Sequence, residues 1–307
     1  MSIKRAFLGP AMLLACIALI GRTAEQSANR PTVRLMVQPA PPVWLASLVK
    51  EACRIRFDPD SGRSTDPLAA NGARFRVSPD SRRVAYVSVT DEGARVVLDG
   101  KEGLVYESIL EDTLTFSRDG KRLAYGARSG GKCFVVADGR AGKDYGAILA
   151  GTLVFSPDGK RLAFGAQQGE KTLVVVDGEE DRQYDALLEG TLIFSPDGRQ
   201  VAYGAKVGAK ATVVVNGKEG AMYDAVLEGT VRFSAAGRLA YGAVAGDKAL
   251  VVAFGREEGK YDGILKGTPV FSPDGKRLAY GARLNAKCLA VVDGRAEKQY
   301  DFLAADS

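Results

Sequence analysis

Phe271-Ser272-Pro273-Asp274-Gly275-Lys276-Arg277-Leu278-Ala279-Tyr280-Gly281-Ala282 returns, with small edits, along most of this 307-residue chain. Its serine stands at Ser78, Ser117, Ser156, Ser195, Ser234 and Ser272, so successive copies lie 39, 39, 39, 39 and 38 residues apart. The short interval reflects a residue missing from Phe233-Ser234-Ala235-Ala236-Gly237-Arg238. Self-similarity at such a period means one supersecondary unit stacked on copies of itself. Recurring residues then serve the repeat before they serve a reaction.

Residues 152–190 show what one unit is. Thr152-Leu153-Val154-Phe155 is a short apolar, β-prone run. Ser156-Pro157-Asp158-Gly159 reverses the chain: proline presets φ, aspartate tolerates the second turn position, and glycine takes the left-handed one. The following run, residues 160–166, pairs back as a second strand. A polar turn at Gln167-Gln168-Gly169-Glu170 leads into the β-branched Lys171-Thr172-Leu173-Val174-Val175-Val176, suited to a strand covered on both faces. Asp177-Gly178 signals a hairpin, and Arg182-Gln183-Tyr184-Asp185-Ala186-Leu187 is expected as a shorter fourth strand. A glycine or proline interrupts every six to ten residues, which excludes a helical solenoid. Four antiparallel strands in about 40 residues make the blade of a β-propeller.

These phrases resemble the WD40-like repeat of the TolB type: an aromatic or apolar residue, Ser-Pro-Asp-Gly, a basic residue and an apolar–Ala–aromatic strand. Residues 116–127 (with Arg118 for proline), 155–166, 194–205 and 271–282 match closely. The first unit has Ser81 for glycine, and the fifth lacks Pro-Asp. The resemblance implies an all-β, six-bladed propeller over residues 75–307. A seventh, degenerate blade is the alternative, hidden in residues 43–73 with Arg54-Ile55-Arg56-Phe57 as a strand. Proteins of this type serve as partner-binding modules, periplasmic accessory proteins or gating domains of peptidases. This chain departs from the peptidases in lacking a hydrolase domain and from TolB in having no sizeable globular domain before the repeats.

The N-terminus has a basic start, Lys4 and Arg5, and a 16-residue apolar run at 6–21. That is short for a membrane span and suited to a secretory signal. Residues 1–22 are expected to be a signal peptide, with an uncleaved anchor or a lipoprotein at Cys16 as alternatives. The protein is then periplasmic or secreted, and meets a membrane only through this segment. Residues 23–42, rich in proline, read as a linker. Residues 43–74 form an extension with a short amphipathic helix expected at 43–53, where Trp44 packs on a blade. Of the net charge of +5, residues 1–30 supply +3, so the repeats show no nucleic-acid footprint. Cys133 and Cys288 share one phase in units two apart around the ring, beyond disulfide reach, and read as small buried hydrophobes.

There is no histidine. Histidine-dependent triads, histidine metal sites and the usual proton shuttle near neutral pH are thereby removed. Gly165-Ala166-Gln167-Gln168-Gly169-Glu170-Lys171-Thr172 has the wrong spacing for a phosphate loop and recurs in phase as a turn. Asp58, Asp60 and Asp66 lack the closing glutamate of a calcium loop. Asp80, Asp119, Asp158, Asp197 and Asp274 are explained by their turns. Tyr106, Tyr145, Tyr184, Tyr223, Tyr261 and Tyr300 recur before an acidic residue in most units and are expected to wedge between blades, with a circumferential binding surface as the alternative. No catalytic, cofactor-binding or metal-binding residue is therefore named. The residues that break the repeat are Arg118, Arg232, Asp247, Phe254 and Asn285, and the sequence alone assembles no set from them.

The expected function is a monomeric, non-catalytic module that binds a protein, peptide or glycan partner, or a scaffold of the bacterial cell envelope. A metal-dependent enzyme built from carboxylates in the channel and a structural surface protein are the alternatives.

Overall fold

The computed structural model describes residues 75–303. The expected signal or anchor, linker, helix at 43–53, Trp44 contact, Cys16 and Cys53, acidic loop at 58–66 and hidden blade all lie outside the described residues.

The chain forms a six-bladed β-propeller of six antiparallel sheets, numbered here 1 to 6 in chain order. Sheet 3 serves for all. Its central strands, Leu162–Gln168 and Lys171–Val176, pair along their whole length. The innermost position is shared by two short strands, Ala147–Ile148 and Val154–Phe155, both paired to Leu162–Gln168. Glu179–Glu180 is the outer strand.

The expected fourth strand at 182–187 is therefore corrected. Tyr184 bridges Thr172 of its own sheet, whereas Ala186–Leu187 pairs with Val201–Val207 of sheet 4. The chain crosses between sheets at Asp185. Just upstream the Asp181 N–H donates to the Val174 carbonyl, as Gly103, Gly142 and Gly220 do to Val96, Val135 and Val213, and in each of these sheets the outer strand ends after two residues. Sequence units and blades consequently do not share one phase. In sheets 5 and 6 the outer strand is longer, Arg256–Tyr261 and Arg295–Tyr300, each beside a register shift.

The repeated turn is a closed set of hydrogen bonds. The Ser156 hydroxyl donates to Asp158 at 2.6 Å, Asp158 accepts from the Lys160 N–H, and Ser156 Oγ accepts from the Arg161 N–H. Gly159 sits at φ +71°, and a Cβ placed on it would lie 3.1 Å from Asp119 Oδ1 of the preceding turn. Sheets 1, 2, 4 and 6 repeat the serine–aspartate bond, so the aspartates are structural as read. The fifth turn closes one residue shorter through Ser234 and the Arg238 N–H.

Between sheets, tyrosines fill the wedge. Tyr106, Tyr145, Tyr184, Tyr223 and Tyr261 are buried and meet Tyr125, Phe164, Tyr203, Tyr241 and Tyr280 of the next sheet edge-on at 5.9–6.4 Å. The aspartates after Tyr184, Tyr223 and Tyr261 are latches. Asp224 accepts from Lys210 in its own sheet and from the Gly246 N–H in the next; Asp185 and Asp262 do the same. Cys133 and Cys288 are buried and free.

Five apolar clusters join sheets 1–2, 2–3, 3–4, 4–5 and 5–6. Among the described residues none joins sheet 6 to sheet 1. Ala85, Ala124, Ala163, Ala202 and Ala240 are 0% exposed, whereas their counterpart Ala279 is exposed, and Tyr300 is 49% exposed.

Two measurements test this packing. Tyr184→Ala is expected to cost about 3–5 kcal/mol, as for deletion of a buried aromatic side chain, and Tyr300→Ala less than about 1 kcal/mol, since its ring is half in solvent. Denaturant titrations giving equal losses would contradict the wedge assignment. Acid tests the carboxylates. Asp158 is held below its ordinary value of 3.8 first by the Ser156 hydroxyl, and Asp185 first by Lys171. A pKa lower in the folded chain stabilises it above the unfolded value, and that contribution disappears as pH falls through the folded value. Stability from these groups should be constant above pH ~5 and fall progressively below pH ~4. In an NMR titration, Ser156→Ala should move Asp158 back toward its ordinary value.

Candidate functional site

The turns of sheets 2 to 6 and the inner strands of sheets 4 to 6 line an open cavity of about 700 Å³. Each turn offers its second residue to this space: Arg118, Pro157, Pro196, Ala235 and Pro273. The inner strands add Ile193, Arg232 and Val270, with Phe194, Phe233 and Phe271 beside them. Strand alternation accounts for this placement. In sheet 5, Val231 is buried while its neighbour Arg232 is exposed to the cavity. Two guanidinium groups thus stand in a wall that is otherwise apolar but for Ser234 and Ser272, and among the described residues the lining carries no carboxylate.

The repeat supplies a control for each arginine. Where Arg118 stands, other units carry Pro79, Pro157, Pro196, Ala235 and Pro273. Where Arg232 stands, they carry Arg76, Thr115, Val154, Ile193 and Val270. Arg76 is tied to Asp112 at 3.7 Å. Arg118 and Arg232 have no ion-pair partner among the described residues.

The other repeat-breaking residues are distributed differently. Phe254 takes the hairpin place of Asp99, Asp138 and Asp177, at φ +54°. It stacks on Phe271 of the cavity wall, with ring centres 6.0 Å apart, and under the Arg238 guanidinium at 5.2 Å. Asp247 and Asn285 sit in the turns between the two central strands, where Asp247 lies 3.9 Å from Lys248 and the Asn285 N–H donates to Asp262. Three of the five therefore gather at the cavity, two in its lining and one against a lining residue.

The sequence reading missed the clamp that fixes this wall. After the first three turns an arginine reaches two ways. Arg122 pairs with Asp138 at 2.8 Å and donates to the Lys160 carbonyl of the next turn at 2.7 Å. Arg83 and Arg161 repeat the arrangement, and Arg122 and Arg161 also lie over Phe155 and Phe194. Gln200 keeps only the second arm, donating to Gly237 at 3.0 Å. The recurring basic residue was the available signal, and the sequence reading places it in the strand run that follows the turn.

Among the described residues, no three histidine, cysteine, aspartate or glutamate side chains come together as a metal-holding group. The aspartates that follow lining residues in their turns, Asp119, Asp158, Asp197 and Asp274, are engaged by their own serines and by Lys121, Lys160, Arg199 and Lys276.

No protein-family model matches the chain, and no curated protein matches it. Solved structures similar to it are propellers. TolB from Acinetobacter baumannii is 18% identical over 75% of this chain, with a TM-score of 0.34; the match spans 65% of the TolB chain. The β-propeller domain of Cps50 (Swd1) from Myceliophthora thermophila is 12% identical over 74% of this chain and 84% of that one, TM-score 0.35. The periplasmic gluconolactonase of Pseudomonas aeruginosa is 18% identical over 80% and 90% of the two chains, TM-score 0.35.

If the two arginines are not needed by the fold, exchanging them for residues of sister units should be silent in stability. Arg118→Pro and Arg232→Val are each expected to change unfolding free energy by less than about 0.5 kcal/mol, as surface substitutions do. A loss above about 2 kcal/mol for either would assign that arginine to the scaffold.

Proposed function

We propose that this protein is an exported, non-catalytic propeller that acts as a monomeric binding module of the bacterial cell envelope and takes a macromolecular partner in its central cavity. One observation carries the reading: residues that depart from the repeat, Arg118 and Arg232, converge on a cavity to which five sheets contribute. Function placed on a rigid ring of repeats is expected at such departures, because the recurring residues are consumed by turns and wedges. The basic start and apolar run at 6–21 support export. Support for a non-catalytic role is the make-up of the lining, which offers no carboxylate for general acid–base work or for a hard metal ion.

A photo-cross-linking residue placed at Val270, in the cavity wall, and another at Glu179, on an outer strand, test the reading in the native cell envelope. Adducts are expected from Val270 and not from Glu179. Absence of adducts at Val270, or equal yields at both positions, would remove the cavity as the binding site. Intact-mass measurement of the processed N-terminus checks export: loss of roughly the first 22 residues is expected under signal-peptide processing.

A further inference from the structure

We infer that the central cavity recognises an acidic peptide, an extended segment in which two carboxylates are interspersed with apolar side chains. This rests on the binding-module reading above and narrows it to one chemistry.

Charge is the first ground. Among the described residues the lining holds Arg118 and Arg232 and no acid, and neither arginine has an ion-pair partner there. Four of the five arginines that follow a turn are paired, Arg83 with Asp99, Arg122 with Asp138, Arg161 with Asp177 and Arg277 with Asp293, and the fifth, Arg238, lies over the Phe254 ring. Guanidinium groups present a planar fork that matches a carboxylate in two parallel hydrogen bonds. Asp119, Asp158 and Asp274 do not compete for them, since each accepts from its own turn serine and faces a neighbouring lysine at 3.6–4.0 Å.

The remaining wall decides between classes of anion. Apart from the arginines, the only polar side chains in the lining are Ser234 and Ser272. Both are committed to their turns, Ser234 accepting from the Arg238 N–H and Ser272 donating to Asp274. No asparagine, glutamine or carboxylate is present to hold sugar hydroxyls, so an acidic glycan finds cations without its usual planar partners. Nucleic acid would need many more phosphate contacts than two arginines provide. Ile193, Val231, Phe233, Val270 and Phe271 instead offer what aliphatic and aromatic side chains require.

Placement of the two arginines on different sheets sets the number of carboxylates. Arg118 projects from the turn of sheet 2 and Arg232 from the inner strand of sheet 5, on different walls of the cavity. A single carboxylate engages one of them. An extended segment crossing the cavity engages both while its apolar side chains meet the intervening wall.

Fluorescence anisotropy on the full chain provides the test. The probes are a labelled hexapeptide alternating valine with aspartate, its asparagine analogue and its lysine analogue. The aspartate peptide is expected to bind, more weakly as salt rises. The asparagine analogue should bind at least tenfold more weakly, and the lysine analogue should not bind. Arg118→Pro and Arg232→Val should each weaken the aspartate peptide about tenfold or more, as expected for losing hydrogen bonds to a charged group. Arg140→Ala, on an outer strand away from the cavity, should leave it unchanged. A folded chain carrying both Arg118→Glu and Arg232→Glu should prefer the lysine peptide. Equal affinity for the asparagine analogue, no binding of the aspartate peptide, or full affinity in both arginine variants overturns the inference. Should the aspartate peptide fail while Val270 still cross-links a partner, the acidic-peptide inference falls alone; silence at Val270 removes the binding-module reading itself.

Discussion

An aromatic ring driven edge-on between successive sheets is the contact on which the rest of this molecule depends. One four-stranded sheet cannot bury both faces, and a lone sheet of short strands is marginal in water. Tyr184 meets Tyr203 at 5.9 Å while alanines such as Ala163 and Ala205, fully buried, let the backbones approach. Edge-on aromatic pairs contribute about 0.5–1.5 kcal/mol beyond their buried area. Burial pushes the hydroxyls of Tyr125, Tyr203 and Tyr280 well above the ordinary tyrosine value, which keeps the wedge neutral at any physiological pH. Five such wedges fix where five inner strands stand, and those strands are the cavity wall.

Polar contacts then set the angle that the wedge leaves loose. On the turn side, Arg122 and its counterparts tie one sheet to the next sheet's turn carbonyls. At the opposite ends of the strands, Asp185, Asp224 and Asp262 bridge a lysine of one sheet and an N–H of the next. These groups are largely exposed, so each ion pair contributes little to stability on its own. Their value is geometric: one polar tie near each end of the wedge resists rotation of a sheet about its tyrosine.

Much of this was legible in the sequence because it is local. The Ser-Pro-Asp-Gly turn and the Asp-Gly hairpin are specified by residues within a few positions of one another, and Asp177 and Gly178 both adopt positive φ as that hairpin demands. The point where the chain crosses between sheets was not legible. Ala186 and Leu187 have the same β-prone character whichever sheet they join, and their partners Lys206 and Ala205 lie in the following unit. Arg122 was hidden for the same reason, since its acceptors at Gly159 and Lys160 are a whole unit away. Arg118 and Arg232 were visible as departures from the pattern. Their convergence required the ring, because they are three sheets apart in the chain and meet only across its centre.

Repetition therefore divides the residues by role more sharply than in a fold without internal copies. Unit five loses the turn aspartate and keeps the turn, so that aspartate is dispensable to the architecture. The same unit replaces the hairpin aspartate by Phe254, and Arg238 exchanges an ion pair for a place over an aromatic ring. Both losses remove negative charge from the rim beside Arg232. A sheet that drops two carboxylates and gains an arginine at one end of the strands shifts the local field toward cations while its wedge, Tyr223 against Tyr241, is unchanged. Scaffold and site are thus altered independently: the wedge side of each unit holds the sheets together, and the turn side is free to carry the charge that a ligand meets.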